Sequence, residues 1–376
     1  MTTDELLMET VDLARMREQT AIDGFLASAN GKVVLFGAGT IGRKVATALR
    51  REGIEPLAFA DNNGRLNGTQ VEGIQVLSPT EAARRWGGEA LFVVTTFLPI
   101  GGGLGTRMEE LSNLGCTRIT SFLLVGWKFA GILPHFGADR PSEILRRASD
   151  LERVERLWKD DLSKETYRNA LEWRLHARFA AAVQPVPDQY FPKDIVRPIP
   201  EEIFVDGGAF DGDTLRAAPW PFAKVLAFEP DPTNAALLRT VMGKNIQLHE
   251  VLLGSSTGSA RFAGKGTIAS SRSDFGTMEI PVATLDDLTK QEHPTFVKLD
   301  VEGDELAALQ GGLGMLKREK PVVAVCVYHR PEDLWRIPLF LVESLPSHAF
   351  YLRAHAWDGF ELVAYAVPPA RCQSHK

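Results

Sequence analysis

FVDGGAFDGDT, residues 204–214, is the stretch that decides the fold of this chain. Asp206 stands at the end of an apolar strand, Gly208 and Gly212 follow it, and a helix begins after Thr214. Glycine lets the backbone approach a ligand closely. In open α/β sheets, ligands bind at the carboxyl ends of the strands. The stretch therefore predicts a strand, a ligand-binding loop and a helix, in that order.

The chain around this stretch alternates strand and helix signals. The predicted strands are IFVDGG, KVLAFEP, IQLHEVLLG, FVKLD and VVAVCVY. A hairpin-like segment rich in Ser and Gly (257–282) precedes the fourth strand, and FYLRAH and FELVAYAV are predicted to add an antiparallel edge. This order is typical of an α/β fold with a mostly parallel sheet.

The acids of the glycine loop indicate what kind of ligand it binds. Asp206, Asp211 and Asp213 would repel a pyrophosphate and suit a ligand with positive charge and hydroxyls. S-adenosylmethionine has a sulfonium, an ammonium and a ribose, so the electrostatics favour it over NAD. Glu229 ends the next strand, where its carboxylate can take both ribose hydroxyls. Structural roles stay open as well, because Asp213 could cap the helix and Asp206 could satisfy loop amides.

The runs DGGAFDGDT, LAFEPDPTNAALL, TLDDL and FVKLDVEGDELAALQGG resemble FkbM-type S-adenosylmethionine-dependent methyltransferases over roughly residues 190–367. This resemblance implies a class I methyltransferase fold with a mixed seven-stranded sheet, and O-methylation, most often of sugars or glycan precursors. Phe210 departs from the family, which commonly has Asn there. Carried over by position, the predicted cofactor site is Asp206, Gly207, Gly208, Ala209, Phe210, Asp211, Gly212, Asp213, Thr214, Glu229, Pro230, Asp231 and Asp300.

Three residues at the ends of the fourth and fifth strands are the candidates for the chemistry. His329 is the predicted general base, because histidine titrates near neutrality. Asp300 could instead bind the cofactor amine or the acceptor hydroxyl, or act as the base, and Glu302 could be only a helix N-terminal charge. The three could also hold a divalent metal, but their spacing does not require one, and none is predicted.

Other charged residues near these strands could pair with the site residues or bind the acceptor. Lys298 is unexpected in a buried parallel strand. Pairing with Asp206, or with a carboxylate at the end of its own strand, would cost the least free energy for a buried ammonium. Arg330, Arg353 and His355 could form a basic rim for a phosphorylated or nucleotide-linked acceptor. Ordinary exposed basic residues would have the same pattern.

A second glycine motif, VVLFGAGTIGRKV (33–45), lies near the N-terminus. Gly37, Gly39 and Gly42 complete G-x-G-x-x-G, and Asp61 follows the next apolar run. Taken alone, the motif indicates an NAD-binding Rossmann unit. The region 31–97 is also similar to the small Rossmann-like domain of sugar acetyltransferases, and this implies that the four residues bind a nucleotide sugar. An NAD(P)-dependent oxidoreductase, a non-catalytic nucleotide-sugar scaffold and a purely structural domain remain alternatives.

Length and composition limit the number of domains and the class of protein. The 376 residues suggest two domains, and the net charge of −6 argues against a nucleic-acid surface. Three unpaired cysteines and an acidic N-terminus without signal-peptide features predict a cytoplasmic protein without a membrane span. The sequence leaves the oligomeric state open, a homo-oligomer included. The predicted organisation is an N-terminal helical segment (1–30), the Rossmann-like domain (31–140), a helical and Pro-rich connector (141–200) and the methyltransferase domain (201–376).

Overall fold

The structure, a computed structural model, describes residues 2–97, 102–179, 184–264, 271–272 and 276–373. The chain divides into two compact units. The first unit is Met1–Glu152, Glu165–Gln184 and Ala356–Phe360, and the second is Arg153–Lys164, Pro185–His355 and Glu361–Lys376. Parts of the predicted connector 141–200 thus belong to each unit, and its boundaries stay a prediction.

The first unit has a six-stranded sheet in the order β3-β4-β2-β1-β5-β6, with only β3 antiparallel to its neighbour among the described strands. Its strands are β1 (Val33–Phe36), β2 (Ala58–Ala60), β3 (Gln70–Val71), β4 (Ile74–Leu77), β5 (Leu91–Val94) and β6 (Ile119–Ser121). The helices from residue 1 to 176 are α1 (Thr3–Leu7), α2 (Val11–Thr20), α3 (Asp23–Ser28), α4 (Thr40–Arg51), α5 (Pro79–Trp86), α6 (Gly103–Asn113), α7 (Phe122–Lys128), α8 (Pro141–Leu145), α9 (Ala148–Glu155) and α10 (Asp161–His176).

The second unit has a seven-stranded sheet in the order β16-β17-β15-β14-β7-β8-β9. Its strands are β7 (Ile203–Gly207), β8 (Lys224–Phe228), β9 (Ile246–His249), β14 (Phe296–Leu299), β15 (Val322–Cys326), β16 (Ala349–Ala354) and β17 (Leu362–Val367). The strands run parallel except β17, which is antiparallel to both neighbours. The predicted mixed seven-stranded α/β fold and its antiparallel edge are confirmed. The helices are α11 (Asp213–Ala217), α12 (Pro232–Val241), α13 (Leu285–Leu288), α14 (Glu305–Gly311), α15 (Leu313–Glu319) and α16 (Asp333–Ser344).

A small second sheet interrupts this pattern, in the order β10-β13-β11-β12. It contains β10 (Leu252–Leu253), β11 (Gly258–Ala263), β12 (Ser271–Arg272) and β13 (Met278–Ala283). The sequence predicts that the run IQLHEVLLG forms one strand. In the structure it forms two strands that belong to different sheets. The reason is packing, because Leu252 is buried in a cluster with Phe262, Ile280 and Val282. The hairpin expected around residues 257–282 is present as the antiparallel pair β11 and β13.

The carboxyl ends of the central strands of the large sheet lie side by side. β7, β14 and β15 lie side by side, and every residue of β14 and β15 is buried. Because the three strands are parallel, the loops that follow them meet at one edge of the sheet. Within the described ranges, none of the helices is both long and apolar enough to cross a bilayer.

Candidate active site

A cavity of about 240 Å³ lies at the carboxyl ends of β7, β8 and β14 in the second unit. Its wall includes seven of the thirteen residues predicted to bind the cofactor: Gly208, Phe210, Asp213, Thr214, Glu229, Pro230 and Asp300. The remaining six lie elsewhere. Asp206, Gly207, Ala209 and Gly212 are buried in the loop and strand behind the wall, Asp211 pairs with Arg216, and Asp231 accepts a hydrogen bond from the Thr233 amide as the N-cap of α12.

The turn after β7 requires glycine for steric reasons. Gly208 has a φ of +79°, and a Cβ there would lie 1.8 Å from the Asp300 carbonyl oxygen. The Asp300 amide in turn donates to the Gly207 carbonyl at 3.0 Å. The backbone of the loop therefore crosses the end of β14 at a distance that no side chain would allow. The same bare backbone gives a ligand in the cavity close access to the loop.

Glu229 is fixed at the end of β8 by its own loop. Its Oε2 accepts from the Phe210 amide at 2.9 Å and its Oε1 from the Asp231 amide at 2.8 Å. Burial raises the pKa of Glu229, and these two amides act against that rise. The Asn234 side chain is a third donor to this carboxylate, so one lone pair stays available to a ribose hydroxyl. The wall beside it is apolar, with Phe228, Leu252 and Phe262, as the face of a purine would require.

Lys298 and Asp206 form a buried ion pair beneath the cavity. The Lys298 Nζ lies 3.0 Å from Asp206 Oδ1 and donates to the Gly208 carbonyl at 2.6 Å, and both side chains are almost fully buried. Burial alone would lower the pKa of Lys298, but the charges of Asp206 and Asp300 raise it above its usual value. Burial also raises the pKa of Asp206. Lys298 has the partner that the sequence predicts, and it borders the cavity while Asp206 lies behind it.

The three predicted catalytic residues converge as expected. His329 Nε2 lies 3.4 Å from Asp300 Oδ1 and 3.7 Å from Glu302 Oε1, while Nδ1 lies 2.8 Å from Glu305 Oε1. Burial would lower the pKa of His329, but the three carboxylates raise it to about 10. Burial raises the pKa of Glu302 to about 7. Despite burial, Lys298, His329 and a hydrogen bond from Tyr190 lower the pKa of Asp300.

His329 as the general base stays a prediction, and the carboxylates around it favour its protonated form. An imidazole with a pKa near 10 is protonated at neutral pH and has no lone pair to accept a proton. Glu305, on α14 and absent from the sequence-based interpretation, causes much of this change. Ligand atoms of Asp300, Glu302 and His329 also lie within 4.8 Å of one another, which is compatible with a divalent cation. In the protonated form, His329 supplies the positive charge between the two carboxylates itself.

Four further residues of the cavity wall carry no sequence signal. The Tyr190 hydroxyl donates to Asp300 Oδ2 at 2.7 Å, and Gln189 Nε2 donates to the Tyr190 oxygen at 2.9 Å. The Tyr328 hydroxyl donates to Glu361 at 3.2 Å. Gln189 and Tyr190 come from the Pro-rich segment, and Glu361 directly precedes β17. Only the position of Tyr328, directly before His329, could have drawn attention to one of them.

The expected basic rim is not formed. Arg330 is half-exposed and pairs with Asp304 at 3.4 Å. Arg353 is buried between Asp160 and Asp194, and so it serves the packing of the second unit. His355 lies behind the cavity, where Nδ1 contacts the Val186 carbonyl and Nε2 contacts the Tyr365 hydroxyl.

The glycine motif of the first unit forms a Rossmann-type turn. Gly37 has a φ of +119°, and a Cβ on Gly42 would lie 2.0 Å from the Gly37 carbonyl oxygen. Asp61 Oδ2 accepts from the Ala38 amide and Oδ1 from the Asn63 amide, both at 2.8 Å. Asp61 thus closes the turn around its own loop. Among the residues that the structure describes, a Cβ on Gly39 would meet no atom within 4 Å.

The segment from the glycine loop to β16 matches a known protein family. A family model described as the Methyltransferase FkbM domain covers the glycine loop, Glu229 and the His329 cluster. Residues 206–355 match the FkbM methyltransferase domain. The FkbM resemblance predicted from the sequence is confirmed for this segment. The match supports a methyltransferase activity for the second unit, whereas the resemblance proposed for the first unit stays a prediction.

The fold of the chain also has a counterpart among solved structures. The chain is similar to the crystal structure of methyltransferase FkbM from Methylobacillus flagellatus KT, with a TM-score of 0.78 and 21% sequence identity. The similarity covers 97% of this chain and 99% of that chain. At this identity, the likeness shows the fold. No curated protein sequence matches the chain at a significant level.

Proposed function

We propose that the chain is an S-adenosylmethionine-dependent O-methyltransferase that acts on a sugar hydroxyl of a nucleotide sugar or glycan precursor. The observation that carries the proposal is the cavity beside Gly208, where a fixed carboxylate (Glu229), an apolar wall and a bare backbone turn are combined. These features fit a ribose, a purine and a methionine chain. When bound, the cofactor would supply an electrophilic methyl group on a positively charged sulfur.

The residues of the chain would orient the two reactants and move one proton. Glu229 would bind the ribose, and Asp300, kept ionised beside Lys298, would bind the cofactor ammonium or the acceptor hydroxyl. Glu302 lines the cavity, and we assign the proton-accepting role to it because its pKa of about 7 lies close to neutrality. Protonated His329 would stabilise the carboxylates on either side of it.

For the first unit we propose that the turn Gly37–Gly42 holds the pyrophosphate of the nucleotide-linked acceptor. The turn lies at the N-terminus of α4, where backbone amides and the helix dipole favour an anion. No atom of the described part of the chain would contact a Cβ on Gly39 within 4 Å. Both Asp61 oxygens already accept a backbone amide, from Ala38 and from Asn63. A ribose hydroxyl would therefore bind to the remaining lone pairs of these oxygens.

Calorimetry tests the cofactor, and mass spectrometry tests the reaction. We expect S-adenosylmethionine to bind and NAD(H) to give no heat. We then expect incubation with a panel of nucleotide sugars to add the mass of one methylene to one of them. In the variant Glu302→Gln, we expect turnover to fall by about 10²–10⁴-fold while S-adenosylmethionine still binds.

Two results would contradict the proposal. Heat with NAD(H) but not with S-adenosylmethionine would favour an oxidoreductase, and no heat with either would favour a non-catalytic scaffold. Glu343→Gln is the matched control for Glu302→Gln, because Glu343 is an exposed carboxylate of the second unit that does not line the cavity. If both variants lost activity equally, the role of Glu302 would be wrong.

A further inference from the structure

Tyr190 reaches the cavity from outside the segment that the family model matches. It lies in the Pro-rich segment before β7, its side chain is buried, and its ring borders the cavity. Its backbone has a φ of +67°, which a tyrosine rarely adopts. The Lys298 ammonium lies 5.1 Å from the ring centroid. A bulky residue in this conformation must be held there by its surroundings.

A directed chain of hydrogen bonds holds the backbone of Tyr190. The Val186 carbonyl can only accept, so His355 Nδ1 donates to it at 2.9 Å. Burial lowers the pKa of His355 to about 4, so at neutral pH its Nε2 keeps a lone pair and accepts from the Tyr365 hydroxyl at 2.8 Å. The Tyr365 oxygen then accepts from the Tyr190 amide at 3.1 Å. Each donor and acceptor in this chain has one consistent role.

The hydroxyl end of Tyr190 is equally constrained. It accepts from Gln189 Nε2 at 2.9 Å and donates to Asp300 Oδ2 at 2.7 Å. Burial raises the pKa of Tyr190 well above its usual value, so the hydroxyl stays protonated and acts as a donor. One oxygen of Asp300 is thereby occupied, and the other, Oδ1, faces His329 at 3.4 Å. The carboxylate cannot rotate without losing the Tyr190 bond.

We propose that Tyr190 is a positioning residue that fixes the Asp300 carboxylate for the methyl-transfer reaction, and that Tyr365 and His355 hold Tyr190 in place. The proposal rests on the proposed function, because Asp300 matters only if it contacts cofactor or acceptor. It also gives His355 a role in the second unit that differs from the substrate contact predicted from the sequence. Tyr190 acts through Asp300 and need not touch the reacting atoms.

A double-mutant cycle in the full chain tests the proposal. Tyr190→Phe is made in the natural protein and in the Asp300→Asn variant, and the dissociation constant for S-adenosylmethionine, kcat and the acceptor KM are measured for each. A hydrogen bond to a charged group predicts a loss of about ten- to a hundredfold in kcat or in cofactor affinity. The loss should shrink to less than about threefold in the Asp300→Asn background, because the two residues act as one unit.

Two further variants separate positioning from folding. Tyr365→Phe keeps the Tyr190 hydroxyl but removes the acceptor of its amide, and we expect a smaller loss in the same parameter. Tyr167→Phe is the matched control, because Tyr167 is a buried tyrosine of the first unit that donates to the Leu151 carbonyl. It should leave kcat and cofactor affinity unchanged.

Each outcome decides one question. An equal loss from Tyr190→Phe in both backgrounds, or no loss in either, would overturn the positioning role. If the natural protein bound no S-adenosylmethionine, the proposed function itself would be refuted. Coupled losses confined to the Asp300-containing background would support both.

Discussion

The buried pair of Lys298 and Asp206 makes the sharpest prediction about stability. We expect Lys298→Met to destabilise the centre of the seven-stranded sheet by about 3–5 kcal/mol, because it leaves the Asp206 carboxylate buried without its cation. At the observed separation of 3.0 Å, the Coulomb attraction is about 5 kcal/mol for an effective dielectric constant near 20. The Gly208 carbonyl would lose its donor as well.

Hydrogen exchange followed by mass spectrometry is the suitable measurement. A chain with two units need not unfold in one step, and exchange reports the free energy of opening for each strand. We expect the loss in peptides from β7 and β14 and not in peptides from β1 and β5. Lys224→Met is the matched control, because Lys224 pairs with Glu292 at the surface, and we expect it to cost less than about 1 kcal/mol.

A second substitution separates charge from packing. Adding Asp206→Asn to Lys298→Met removes the uncompensated charge, and we expect it to recover more than about half of the lost free energy of opening. If the double variant were as unstable as Lys298→Met, or if Lys298→Met cost no more than Lys224→Met, the electrostatic reasoning would be refuted.

Two more predictions concern the first glycine turn and the pH dependence of the second unit. Gly39→Val should keep the first unit folded and weaken nucleotide-sugar binding, whereas Gly42→Ala should destabilise the unit because its Cβ meets the Gly37 carbonyl. Thermal melting measures the first effect of each variant, and calorimetry with a nucleotide sugar measures binding. Intact nucleotide-sugar binding by Gly39→Val would exclude a ligand at this turn. The pKa of His355 is about 4 in the folded protein against 6.5 for a free histidine. His355 therefore costs no stability above pH 6.5, and the free energy of unfolding falls by up to about 1.4 kcal/mol per pH unit as the pH drops from 6.5 towards 4. Hydrogen exchange in β16 and β17 should show this slope, and a His355→Gln variant with an unchanged slope would contradict it.

The features that could be predicted from the sequence are those that depend on consecutive residues. An apolar strand, a glycine turn and a helix start are visible in consecutive letters, and the central strands β7, β8, β14 and β15 lie where the runs indicate. The convergence of Asp300, Glu302 and His329 was also predictable, because the ends of neighbouring parallel strands meet at one edge. The split of IQLHEVLLG was not, because it depends on side chains of β11 and β13 that pack on Leu252.

The chemical states of the site residues depended on neighbours that no motif indicates. His329 reads as a base until Glu305 is seen 2.8 Å from its Nδ1. Asp61 reads as a ribose ligand until both of its oxygens are seen to accept backbone amides. Tyr190 lies in a segment without periodicity, so its approach to Asp300 follows only from the folded path of the chain.

The cavity wall has a consequence for how relatives of this protein can be compared. Gln189 and Tyr190 precede residues 206–355 and Glu361 follows them, yet all three border the same space as Asp300. An alignment restricted to the matched segment would omit these three residues of the wall. Two relatives that agree throughout such an alignment could therefore bind different ligands in this cavity, and sorting them by ligand needs the flanking residues too.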